Sequence, residues 1–376
     1  MITFAVQPHF FMTIYPFQAI LPNLERIAIT EKFFDDVREN YPDFLAKDFF
    51  YNDESPAIFI YEIKNTLGVF HGVIASLDVR DYDKGKIKKH EKTIFAKEKQ
   101  QMDLLLERSA MVKPVLLTYP KSDDLSRFIY TYMADNQHFL KISIDESQHQ
   151  HRFWKVSDTT QIATLQTLFS EKIAMTYVAD GHHRLASNVL LYHTMKEEKG
   201  TEEYHQMLCA FFASDELRIE AFNRVVANAP YDFLEKINTI ATKSSTSQAI
   251  PKAKHEFSFF YKKEWHSYVW NDVVLADFQQ KKKVVLDVDI LNEKVLHDIF
   301  DIQDVRKDAR ISYVEGIKGK NALEKVCNNN TDSIAFSLFP VCIEDLIQVS
   351  DNEDIMPPKS TWFEPRMKNG MLVQGI

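Results

Sequence analysis

Glycine is scarce in this 376-residue chain, at nine residues. A glycine inside a charged cluster therefore marks a backbone position that needs it. Cysteine is scarcer still, at three. Cys209, Cys327 and Cys342 are odd in number and far apart, and no C-x-x-C occurs. That excludes a disulfide framework and a zinc knuckle and points to a reducing, cytoplasmic setting. No run approaches the ~18 apolar residues of a membrane span, so no membrane partner is expected. The stretch "MITFAVQPHFFMTIYPF" holds no Lys or Arg, and Gln7 and Pro8 interrupt it, unlike a signal peptide. Met12 is an alternative start, which makes residues 1–11 a candidate N-terminal extension. Basic charge is also short: 45 Lys and Arg stand against 54 Asp and Glu, a net −9. Nonspecific duplex binding needs a basic footprint, so no nucleic-acid partner is expected. Finally, there is no G-x-G-x-x-G, H-E-x-x-H or G-x-S-x-G, and "GIKGKNA" (316–322) has the wrong spacing for a phosphate loop.

What is present is a chain that is 45% hydrophobic, with 28 Phe and 15 Tyr, which predicts a large aromatic core. Spacings of three and four predict a helix with Phe33, Phe34 and Val37 on one face. Two strands follow from residue 56, with a turn at Lys64–Asn65. Further on, a helix carries Met102, Leu105 and Leu106, and "KPVLLTYP" (113–120) reads as a buried strand. Residues 121–160 read as strands alternating with charged turns. Asp158 or Thr159 caps a helix that turns Ile162, Leu165 and Leu168–Phe169 inward. "IAMTYVA" and "MLCAFFAS" are buried strands, "HEFSFFYKKEWHSYVW" a strand pair, and "LDVDILNEKVLHDIF" a helix. The mixture predicts an α+β (mixed α/β) fold. The polar stretch "TKSSTSQ" near 242 divides it into a core over 12–230 and a second α+β part over 231–376, whose segment 356–366 returns to the site.

Three clusters can carry chemistry. In "ADGHHR" (179–184) a strand turns through Gly181 into a helix, leaving amide N–H groups aimed at one spot, an anion site. Asp180 caps that helix, or holds a metal or a hydroxyl. His182, His183 and Arg184 converge on a bound phosphate. Cations at a helix N-terminus are electrostatically misplaced unless an anion neutralises them. Adjacent histidines point about 100° apart, whereas helical metal pairs use i, i+4 spacing, so this segment alone does not read as a zinc site. The second cluster, "KGKIKKHEKTIFAKEK" (84–99), places His90 and Glu91 in a basic run, with Glu91 a candidate general base. The third, "MPPKSTWFEPR" (356–366), presents Lys359, Ser360 and Thr361 after a rigid turn, as phosphate ligands or as a tail strapped down by Trp362 and Phe363.

In this order the clusters resemble the family called Domain of Unknown Function 1015. The resemblance rests on His90-Glu91-Lys92-Thr93, Ala179–Arg184 and Met356–Thr361. "IYPFQAILP", "PVLLTYP", "AFNRVV" (which brings in Arg224) and "LDVDIL" extend it over nearly the whole chain from Met12. Departures mark a divergent branch: Lys99-Gln100 stand where many members have Asp-Arg, Asn223 where His is common, and a Pro-Pro-Tyr-Asp segment is missing.

The Asp-Gly-His-x-Arg pattern is also similar, more distantly, to that of free serine kinases of the ParB/sulfiredoxin-like fold. That resemblance implies phosphate binding by Gly181, His182, His183 and Arg184, joined by Arg224, Lys359, Ser360 and Thr361. It also implies Glu91 as base, with Asp180 and His90 beside it in the catalytic set. Lys359 would close over the phosphates. The implied function is phosphotransfer from ATP or ADP, with Mg2+, to a small hydroxylated metabolite such as serine. Two alternatives stand: a phosphatase acting on a small phosphate ester, and a non-catalytic sensor of a nucleotide or phosphometabolite. The implied partner is a small phosphorylated ligand, with a homodimer as the candidate assembly. The metal at the site stays unassigned.

Overall fold

The computed structural model describes residues 12–144, 148–328 and 332–376. The candidate extension 1–11 lies outside them. The fold is α+β. It forms two compact units, one of residues 1–217 and 365–376, the other of residues 218–364. The sequence-based division stood at 230/231.

In the first unit a mixed sheet has nine strands among the described residues. Its order is Ile87–Lys88, Thr176–Asp180, Val115–Tyr119, Gln206–Ala213, Gly68–Asp78, Ile58–Asn65, His149–Val156 and Leu140–Ile144, with Ile14–Tyr15 added beside Gly68–Asp78. The central strands are buried on both faces, which explains their unbroken apolar runs. A smaller sheet runs Phe50–Asn52, Ala19–Pro22, Val373–Gly375, Ala110–Met111, so the end of the chain is clamped between two early strands. Phe33 of the helix Thr30–Ala46 packs its ring against Phe34, Phe44, Phe49 and Phe50.

The second unit is built on an antiparallel sheet ordered Ala241–Lys243, Glu264–Trp270, Glu256–Tyr261, Ile334–Leu338, Arg218–Val226, Ile311–Glu315. Thr361–Glu364 pairs with the first half of Arg218–Val226. Lys262 and Lys263 both take positive φ, the tight hairpin turn that joins the two expected strands. Phe257 stacks on Trp270 at 4.0 Å, and Phe233 packs edge-on against Phe259 and Phe336. The aromatic surplus is thus core in both units.

Several local expectations shift. The first hairpin turns at Thr66–Leu67, where Asn65 Oδ1 accepts from the Leu67 amide at 2.8 Å. Residues 123–135 form a helix, Asp123–Asp135, where alternating strands were expected. Asp123 and Asp124 form its first turn, where carboxylates favour the positive end of the helix, and Ser122 caps it. Asp158, not Thr159, caps the helix Thr159–Lys172, which buries Leu165 and Phe169 but leaves Ile162 and Leu168 partly exposed. The helix expected over 286–300 starts at Asp287 and widens into a π-helix from Leu291 to His297.

Gly72 lies opposite Phe212 in the large sheet, and a Cβ there would stand 2.6 Å from the Phe211 carbonyl oxygen. Gly72→Ala is expected to lower stability by about 1–3 kcal/mol, as overpacking does. An unchanged urea midpoint would show that this part of the sheet yields.

Candidate functional site

The site begins with strand register. Ile87–Lys88 runs parallel to Thr176–Asp180, with Ile87 opposite Thr176 and Lys88 opposite Tyr177. The chain beyond Lys88 therefore advances beside the chain beyond Tyr177, and His90 and Glu91 reach the level of Asp180 and His182. On the other side, Val115–Tyr119 runs antiparallel, and the register slips between Val178 and Asp180. Such a bulge re-aims the chain at the sheet edge. It also brings Lys113, just ahead of Val115, to the Asp180 end.

Gly181 then takes φ 104° and the helix His182–Lys199 starts. Gly181 is the N-cap, no side chain caps the helix, and Leu185 N–H donates to the Gly181 carbonyl at 2.9 Å. Asp180 is thus not the cap. Its Oδ2 instead accepts from Arg184 Nη2 at 2.8 Å, one turn on. The Arg184 side chain folds back over Gly181 so closely that a Cβ there would lie 2.6 Å from Nη2. Only glycine permits both this backbone angle and this approach. Arg366 Nη2 stands 3.7 Å from the other Asp180 oxygen. Arg366 is held there by its neighbours: Lys368 pairs with Asp35 at 2.7 Å, and Gly370 N–H donates to the Val112 carbonyl.

Cations gather at this spot. Burial works to raise the Asp180 pKa, but Arg184, Lys113 and Arg366 together hold it well below the usual carboxylate range. Lys113 is pushed down to about 8 by burial and by Arg184 and Arg366. Three cations surround one carboxylate. Sequence reasoning missed Lys113 and Arg366. The former read as the start of a strand, the latter as the end of a tail.

The two histidines do not join that cation group. His182 is 5% exposed and turns toward His90, ring centroids 4.5 Å apart and edge-on, with Nδ1 3.5 Å from Glu91 Oε2. Burial and neighbouring His90 push its pKa well down, and burial lowers His90 to about 4. His183 is half-buried and lowered too, by burial and by Lys97. So His182, His183 and Arg184 divide between three sets of neighbours instead of converging. The electrostatic misfit at the helix start is relieved by neutral imidazoles and by the Asp180–Arg184 pair. His90, Glu91 and His182 each offer one donor atom, all within 4.8 Å of one another.

The remaining candidates gather in the second unit. Arg224 is fully buried, donates to the Phe222 and Pro358 carbonyls, and lies over the Tyr313 ring. Ser360 Oγ donates to the Pro357 carbonyl at 2.7 Å, Lys359 Nζ sits 4.9 Å over the Phe222 ring, and Thr361 pairs with Ala221. Ser360 and Arg224 thereby brace the Pro357–Pro358 turn.

Residues 18–310 match the family described as "Protein of unknown function (DUF1015)". The chain belongs to this family. The DUF1015 match includes His90–Thr93, Ala179–Arg184 and Arg224, and stops before Met356–Thr361. No curated protein matches this DUF1015 chain. Among solved structures it is similar to SbnI with C-terminal truncation from Staphylococcus aureus, at 11% identity over 79% of this chain and 85% of that chain, TM-score 0.40. A free serine kinase variant in complex with ADP is similar at 12% identity over 80% and 92%, TM-score 0.37. A conserved hypothetical protein from Pyrococcus furiosus follows at 11% over 79% and 93%, TM-score 0.36.

The buried His90 gives the DUF1015 chain an acid weakness. Its folded pKa of about 4 lies below the ordinary value of about 6.5. Between these values the unfolded chain binds a proton that the folded chain does not, so stability is lost as pH falls through that window. The melting temperature is expected to drop from about pH 6.5 to about pH 4, and less steeply in His90→Gln. Equal slopes in both proteins would assign the loss to other groups.

Proposed function

We propose that the protein is a phosphate- or nucleotide-binding enzyme that transfers a phosphoryl group to a small hydroxylated metabolite. The observation that carries the reading is the gathering of cations at Asp180: Arg184, Lys113 and Arg366 lie about this carboxylate, at a helix N-terminus that no side chain caps. The first-turn amides and the Arg184 fork suit phosphate oxygens, and the neighbouring cations suit the charge that spreads over them during transfer. Asp180 accepts from the Arg184 fork and is the partner that an incoming phosphate displaces.

In this reading the substrate hydroxyl oxygen attacks the terminal phosphorus of ATP or ADP. The new O–P bond forms as the phosphoanhydride bond breaks, and the nucleotide leaves one phosphate shorter. Glu91, half-exposed beside His182, accepts the hydroxyl proton. Mg2+ on the nucleotide supplies charge neutralisation between the phosphates. Serine is the substrate we favour, on the motif resemblance, and the first unit is the candidate ParB/sulfiredoxin-like core.

Purified protein with Mg2+, ATP or ADP, and serine is expected to yield phosphoserine. Arg184→Ala should weaken nucleotide binding by roughly tenfold or more, about 1.4 kcal/mol. No product from either nucleotide with serine or other small hydroxylated metabolites would overturn the transfer reading. Phosphate release from phosphoserine without nucleotide would move the same residues to ester hydrolysis.

A pH test addresses these cations. Lys113, pushed down to about 8, loses its proton near that pH. Nucleotide affinity is expected to fall between about pH 7 and pH 9 in the wild type and to change little in Lys113→Met. A flat wild-type profile would remove Lys113 from the seat.

A further inference from the structure

We infer that His90, Glu91 and His182 form a binding site for a divalent transition-metal ion of the zinc, cobalt or manganese class, adjoining the Asp180 seat. The three donors come from two separate segments, the stretch after Ile87–Lys88 and the first turn of the helix His182–Lys199. Sequence spacing hid them: the adjacent pair His182–His183 points apart, whereas parallel strand register supplies His90 and Glu91 as the missing partners.

Four observations support the site. The donor atoms already lie within 4.8 Å of one another. His182 Nδ1 and Glu91 Oε2 are 3.5 Å apart, close to the ~3.3 Å that two ligands span on a tetrahedral ion with bonds of about 2.0–2.1 Å. The side chain of His182 is 4% exposed, so an ion held by its imidazole is shielded from water on that side. The Glu91 side chain is 41% exposed, so the group opens to solvent on its carboxylate side, as a site that keeps a position for water or substrate must.

The donor chemistry selects the ion. Two imidazoles and one carboxylate suit zinc, cobalt, manganese or iron. Mg2+ takes oxygen ligands in near-ideal octahedral geometry, and this group offers one oxygen-bearing side chain. A nucleotide-borne Mg2+ and the ion proposed here are therefore separate. A carboxylate that ligates through one oxygen keeps the other for a proton, so Glu91 can serve both roles. The inference does not rest on the transfer reading.

Co2+ titration of the full-length protein, after removal of metals with a chelator, tests it. One equivalent is expected to bind, with the visible absorption of a four- or five-coordinate ion, to be displaced by Zn2+ and to survive excess Mg2+. Glu91→Gln, His90→Gln and His182→Gln should each weaken Co2+ binding by about tenfold or more. Glu91→Gln alters a partly exposed side chain and keeps the fold, which circular dichroism checks. Exposed His297→Ala should bind like the wild type. No saturable Co2+ band, or a band that all three variants retain, would overturn the site; displacement by Mg2+ at zinc-like concentrations would overturn its class. Arg184→Ala separates the two readings: retained Co2+ affinity with lost nucleotide affinity supports both sites. Lost Co2+ binding with nucleotide binding intact in Glu91→Gln likewise supports two separate sites, and wild-type Co2+ binding without nucleotide binding rejects only the phosphate seat.

Discussion

The pair between Asp180 and Arg184, closed over Gly181, is the constraint on which the site depends. It needs a strand end, a left-handed glycine and a helix start within five residues. It also needs that glycine to carry no side chain, because the guanidinium occupies the space a Cβ would take. The pair ties the helix to the strand, fixes which way the first turn faces, and leaves the amide groups uncapped. A carboxylate held by three cations is a resident anion, and its hold on them sets how strongly any rival anion must bind.

Around that pair the sheet acts as a positioning device. A parallel neighbour delivers His90 and Glu91, and an antiparallel neighbour with a bulge delivers Lys113. Two kinds of chemistry result side by side. One is cationic and oxygen-seeking, around Asp180. The other is a neutral nitrogen-and-carboxylate group, from His90 to His182. Aliphatic and thioether packing holds the surroundings: the helix Phe95–Arg108 presents Met102 to Leu191 and Met195 of the helix that carries His182.

Much of the fold was legible in the sequence where a signal is local. Unbroken apolar runs marked the buried strands, spacings of three and four marked the helix with Phe33 and Val37, and Asp158 marked its helix start. Signals failed where they were short or ambiguous. The two- to four-residue strands Ile14–Tyr15, Ala19–Pro22 and Phe50–Asn52 have too few residues to alternate. Asp123 and Asp124 suit a turn and a helix start equally. At the site, Gly181 and the residues around it stood out because composition made them rare. Lys113 and Arg366 did not, since only register and the return of the chain end bring them to Asp180. The direction of the histidines was equally hidden, because a helix start shows which residues are neighbours but not which way each is drawn.

The chain order of the first unit carries a consequence for how the protein is made. Residues 218–364 interrupt it, and its closing strand, Val373–Gly375, slots between Ala19–Pro22 and Ala110–Met111. During synthesis the ribosome must complete an entire intervening unit before that slot is filled and Arg366 arrives. Until then the smaller sheet has a gap and Asp180 lacks one of its cations. The nascent chain thus passes through a stage in which the intervening unit is already synthesised while the smaller sheet still presents unpaired strand edges.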